Sequence, residues 1–185
     1  MIRSTLALFL AGSDSAQPDM LITVDNVSGD QWEISAEYFG PPVGFGHGQI
    51  WSDTGFDLNG DGSTITITDY NPAYDTQLGP ASVTNGPTAT FIGSASAFFG
   101  TPDPSNPLFV ANFTYGGAFG DLELDLVGQN AAVFDNLPSP SVLLYQDSFG
   151  NPGPLSWDVR YIPAPATLAL APMALVTARR RRRRD

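Results

Sequence analysis

The 185-residue chain contains no cysteine, no lysine and a single histidine. Without thiols there are no disulfides, no thiol nucleophile and no thiolate metal site, so stability has to come from the core and from any bound ions. The one imidazole, His47 in Gly44-Phe45-Gly46-His47-Gly48, supports neither a catalytic triad nor a metal site unless other ligands join it. Serines occur without the G-x-S-x-G nucleophile context, and no glycine-rich phosphate loop is present. Positive charge is as scarce. Residues 17–165 hold seventeen Asp or Glu and one basic side chain, Arg160, which leaves this body with a formal charge of about −16. Each phosphate contact needs a cation, so nucleic acid and anionic membrane surfaces are poor partners for it. The usual cations that stabilise an oxyanion or a phosphate are missing as well, which disfavours hydrolase and transferase readings. Seventeen acids always include some pair at glycosidase spacing, so carboxylate pairs point nowhere. A non-catalytic protein is expected.

What is present is alternation. Trp32, Ile34, Ala36 and Tyr38 fall on one face of a segment and Gln31, Glu33, Ser35 and Glu37 on the other. Ile65 and Ile67 alternate with threonines, Phe109, Ala111, Phe113 and Tyr115 with Asn112 and Thr114, and Leu122, Leu124 and Leu126 with Glu123 and Asp125. Leu155, Trp157, Val159 and Tyr161 form a further set, and short runs at Met20–Asp25, Gln49–Ser52, Thr88–Gly93, Ala131–Asp135 and Val142–Gln146 bring the expected strands to ten. Gly and Pro clusters such as Gly40-Pro41-Pro42, Asn85-Gly86-Pro87 and Gly150-Asn151-Pro152-Gly153-Pro154 separate them. No stretch of the body sustains a helical period. One apolar and one polar face per strand predicts two sheets around a shared interior, an all-β, two-sheet antiparallel β-sandwich of jelly-roll or immunoglobulin-like type over residues 16–161.

Two constellations in the body suggest ligands. Asp57-Leu58-Asn59-Gly60-Asp61-Gly62 matches the first half of a D-x-[DN]-x-[DN]-G calcium loop, in which Asp57, Asn59 and Asp61 supply oxygens and Gly62 the bend. The second half is absent, because the twelfth position is Thr68, so Asp53 or Asp69 would have to complete the site. The same residues also read as a polar hairpin turn. Trp51, Tyr70 and Tyr74 are the aromatics least tied to apolar strand positions, and exposed rings there would make a sugar-stacking platform. Trp32 and Trp157 fall in phase with the core. Asn26-Val27-Ser28 and Asn112-Phe113-Thr114 match the glycosylation sequon.

The two ends read as addresses. Arg3, the apolar Thr5–Ala11 and the small residues Ala11, Ser13 and Ser15 make a short signal peptide over residues 1–15. At the other end, residues 164–178 carry no charge and six consecutive arginines, Arg179, Arg180, Arg181, Arg182, Arg183 and Arg184, follow. About 20 apolar residues span a bilayer, so this shorter run with Pro172 in it suits a transient span. The arginines would remain cytoplasmic.

A Pro-x-Pro motif, an apolar helix and a terminal arginine cluster, in that order over Pro163–Arg184, resemble the PEP-CTERM sorting signal of bacterial envelope proteins. Ala164 stands between Pro163 and Pro165 where that family usually has Glu. The resemblance implies recognition at Pro163-Ala164-Pro165 by an exosortase-like membrane protease, a transmembrane helix over 166–178, and arginines that act as a membrane stop within a 162–185 sorting segment. A plain tail-anchor with a basic stop is the alternative. The body resembles cohesin-like or carbohydrate-binding-module sandwiches at the level of fold only. Taken together these features predict an exported surface or extracellular-matrix protein of the cell envelope, transiently membrane-anchored. The alternative is a surface binder of extracellular polysaccharide stabilised by calcium.

Overall fold

The computed structural model describes residues 17–40, 48–77, 79–95, 100–134 and 141–164. The signal-peptide segment, His47, Pro165, the apolar run and the arginines lie outside these residues. Among the described residues no helix is long and apolar enough to cross a membrane.

The chain begins as a hairpin. β1 (Met20–Ser28) and β2 (Gln31–Tyr38) pair antiparallel, with Ser28 opposite Gln31. The two-residue connection Gly29-Asp30 needs a positive φ at its first position, and Gly29 supplies it at 60°. β3 (Gln49–Asn59), β4 (Thr66–Tyr70), the three-residue β5 (Ser82–Thr84), β6 (Thr88–Ser94) and β7 (Leu108–Thr114) follow. β8 (Glu123–Leu126), β9 (Asn130–Phe134), β10 (Ser141–Gln146) and β11 (Trp157–Ile162) complete the order. One sheet runs β11-β1-β2-β7-β4. The other runs β10-β9-β3-β6-β5, with β8 also paired to β3. Two sheets sharing one apolar interior is the expected architecture.

The alternation places the core as the period of two requires. β2 has Trp32, Ile34, Ala36 and Tyr38 buried, and β1 contributes Met20, Ile22 and Val24. From the facing sheet come Phe56, Leu58, Ala89, Phe91 and Leu124. Trp32 stacks on Phe113 at 5.8 Å and on Phe119 at 6.0 Å, closing one end of the sandwich. Each such large apolar side chain contributes about 1.5–3 kcal/mol on burial. The sheets are also tied by hydrogen bonding: the Leu124 N–H of β8 donates to the Tyr161 hydroxyl of β11 at 2.7 Å.

Four details differ from the sequence reading. The sandwich is not wholly antiparallel, because β11 pairs parallel with β1, Met20 opposite Trp157 and Asp25 opposite Ile162. After β10 the chain doubles back beside it, with Gly153 N donating to Tyr145 O and Leu155 N to Leu144 O. It then crosses to the other sheet at the end where β1 begins, so both strands run the same way. Second, Ile34 pairs with Ala111 and Ser35 with Phe109, leaving Val110 as the extra residue of a bulge. A one-residue slip exchanges faces, so Leu108 and Val110 are buried and Phe109 is only half-buried. Third, β3 continues well past Ser52 to Asn59. Fourth, β5 has no apolar run to mark it, Val83 being its one apolar residue, and it is held by pairing with β6 and by Val83 against the core.

Candidate functional site

The extension of β3 sets the geometry of the residues expected to bind calcium. Asp57 and Asn59 are two residues apart on a regular strand and so share the outer face of the sheet. Asp57 accepts from the Thr90 hydroxyl at 2.6 Å, and Asn59 accepts from the Thr88 hydroxyl at 2.8 Å while donating to Asp125 at 3.3 Å. Asp61 sits beyond the strand end, in the turn where Gly62 has φ 93°. Its carboxylate accepts from Ser63 N at 2.9 Å, and hydrogen bonding from Ser63 lowers its pKa below the ordinary carboxylate value. Asp53 bonds to Ser94 on β6, and Asp69 belongs to β4 in the other sheet. Among the described residues no three Asp, Glu or His side chains converge as a metal site. The oxygens expected to hold calcium therefore serve a strand pairing and a turn.

The proposed sugar platform is corrected as well. Trp51 and Tyr74 are 0 % and 1 % exposed, so neither ring has a face to offer. Trp51 packs against Phe56 at 6.0 Å, and its indole N–H donates to Asn130 at 3.0 Å. Tyr74 meets Phe91 edge-on at 5.4 Å and donates its hydroxyl to the Trp51 carbonyl at 2.9 Å. Burial raises its pKa far above the ordinary tyrosine value. Only Tyr70 reaches the surface, with its hydroxyl bonded to Asp75 at 2.8 Å and its ring tilted on Phe91 at 5.4 Å. The polar flanks of Trp51 and Tyr74 hid their burial: an Asn-Pro loop can still fold a ring inward when its backbone is capped. Asn71 does this here, accepting from Ala73 N at 2.9 Å while its amide donates to Asp103 at 2.8 Å and to Phe109 O at 2.9 Å.

The structure brings together a different group. β5 pairs with β6 only across Thr90–Ile92: before Ser82 the Ala81 N–H donates to Asp75 Oδ1 at 3.3 Å, and Pro80 has no N–H to continue the ladder. The preceding loop turns away through reciprocal hydrogen bonds between Thr76 and Gly79, N to O at 3.1 and 3.0 Å. β6 runs two residues further, to Ser94, and the step leaves a cleft of about 560 Å³. Asp53 and Gln129 lie on one wall, Ser82 and Pro80 on the other, with Ile92 and Ser94 between. Ser94 stands opposite Asp53 in register and donates to its Oδ1 at 2.6 Å, and Gln129 donates to Oδ2 at 3.3 Å. At the base, the Gly93 backbone lies against the Tyr74 ring, where a Cβ would come within 2.9 Å. Ile92 is 52 % exposed beside these polar groups. Sequence gave no signal for this site, since it joins residues from four separate segments and depends on where a three-residue strand stops.

Of the sorting motif, Pro163 and Ala164 are described and follow directly on Ile162, the last residue of β11. Pro165 and Arg179–Arg184 lie outside the described residues. A scan against protein-family models found no match to this chain, and a search of curated proteins found none either.

Proposed function

We propose that this protein is an exported, non-catalytic β-sandwich of jelly-roll or immunoglobulin/cohesin-like type that serves at the cell surface or in an extracellular matrix. It is delivered there by a signal peptide over residues 1–15 and sorted through its C-terminal segment. The observation that carries the reading is the segregation of charge: residues 17–165 hold seventeen acids and one arginine, while six arginines follow an uncharged stretch at 179–184. A polyanionic body is repelled by anionic lipid, whereas the arginines are attracted to the cytoplasmic leaflet. The chain is thereby held across the membrane by its tail alone. An exosortase-like protease then acts at Pro163-Ala164-Pro165 and releases or transfers the body.

Processing at that point suits the sandwich, because β11 ends at Ile162 and every core strand would stay with the released product. The experiment is intact-mass measurement and C-terminal peptide mapping of protein recovered from native envelope and medium, beside a variant lacking 179–184. A mature end near 163–166 that disappears in the deletion supports the reading. Arginines retained in the mature protein would replace it with a permanent tail-anchor.

A further inference from the structure

We infer that the cleft at the β5–β6 step is a binding site for a neutral hexopyranose unit, held by Asp53, Gln129, Ser82 and Ser94 against aliphatic contacts at Ile92 and Pro80. The inference stands apart from the sorting reading, since it concerns what the body binds and not how the chain is delivered. Its volume, about 560 Å³, lies in the range of small-molecule sites.

The chemistry of the lining selects the ligand class. Sugar hydroxyls donate and accept, and the cleft presents both kinds of partner. The Asp53 carboxylate accepts only, Gln129 retains its carbonyl oxygen after donating to Asp53, the Ser82 hydroxyl can serve either way, and the Ser94 hydroxyl, whose proton goes to Asp53, is left to accept. Carboxylate and amide are already oriented by each other and by Ser94, so little ordering remains to be done when a ligand enters. Ile92, 52 % exposed in the midst of these groups, offers the apolar contact that the C–H face of a pyranose needs.

Charge excludes the rival classes of small molecule. A phosphate or carboxylate ligand would meet Asp53 with no cation among the described residues to offset the repulsion. The body has no lysine, and its one arginine, Arg160, lies on β11 in the other sheet, bonded to the Thr23 hydroxyl at 3.1 Å. A metal ion finds a single carboxylate here, and no metal-binding group of acids occurs among the described residues. Among the described residues no aromatic face is open in the cleft, because the Tyr74 ring is buried beneath Gly93. Affinity for one sugar unit should therefore be weak, on the order of 1 mM.

The test is a titration of the full-length, 15N-labelled chain with the methyl glycosides of glucose, galactose, mannose and N-acetylglucosamine, each to about 50 mM, well above the expected dissociation constant. Saturable amide shifts are expected for at least one sugar, at Ser82, Ile92, Gly93, Ser94 and Gln129. Gln129→Ala, at an exposed side chain, and Asp53→Ala should each weaken that binding about tenfold, the loss of one good polar contact. Thermal unfolding of Gln129→Ala should match the parent, which separates lost contacts from lost fold. No shift with any of the four sugars, shifts confined to other surfaces, or saturation unchanged in Gln129→Ala would overturn the assignment.

Discussion

The indole N–H of Trp51 and the side-chain oxygen of Asn130, 79 residues apart in sequence, meet at 3.0 Å in the interior. The same oxygen accepts the backbone N–H of Gly55 at 2.9 Å, and the Asn130 amide donates to the Val127 carbonyl at 3.2 Å. One fully buried side chain thus satisfies three polar groups where β3 bulges past β9, between Gln49 and Asp53. Gly55 stands beside this junction, and a Cβ there would collide with the Val127 carbonyl.

Replacing Asn130 with alanine strands the Trp51 and Gly55 donors in a site that water does not reach. Each unpaired buried donor costs about 1–3 kcal/mol, so Asn130→Ala should lose several kcal/mol of stability. Urea unfolding followed by tryptophan fluorescence measures this directly. A midpoint equal to that of the parent would mean that the network contributes nothing net.

Alkaline pH should unfold the protein through its buried phenols. Burial raises the pKa of Tyr145, and that of Tyr74, well above the ordinary value of 10.0. In the unfolded chain both ionise near that value, while in the fold both stay protonated. Their contribution is therefore complete below pH 10.0 and declines as pH rises above it towards the folded values. Melting temperature should fall steeply over that range, and the slope should be shallower in Tyr145→Phe, which forfeits one hydrogen bond to the Ile50 carbonyl. An equal slope in the variant would remove Tyr145 from the account.

Truncation separates tail from fold. A chain ending at Ala164 keeps β11 whole and should melt as the full-length chain does. Ending the chain at Ser156 removes β11, whose Trp157, Val159 and Tyr161 pack on the core and whose Tyr161 hydroxyl holds the β8 backbone. That chain should lose cooperative unfolding in a thermal scan followed by circular dichroism. Retention of a sharp transition would show β11 to be a dispensable edge.

Ten of the eleven strands among the described residues are legible because alternation is a local property: Gln31–Tyr38 and Leu122–Leu126 carry their inside and outside faces in the order of their residues. β5 is not, since Ser82-Val83-Thr84 has no pattern apart from its partner. The phase of Phe109 with Ala111 predicts a core position, and the bulge at Val110 breaks that phase. In the aspartate-rich segment Gly62 makes the bend, while Asp57 and Asn59 lie on β3, because residue types that suit a metal loop suit the polar face of a strand equally well.

Composition and alternation determined the sheet class, the polyanionic body and the absence of thiol chemistry, since each follows from counting residues or from a period of two. Which rings face solvent, which way β11 runs and where a cleft opens were decided only by tertiary structure. These depend on contacts between distant segments: Trp51 with Asn130, β11 with β1, and Asp53 with Ser94 and Gln129. Local pattern sets which face of a strand is apolar, but the pairing of strands sets what that face meets.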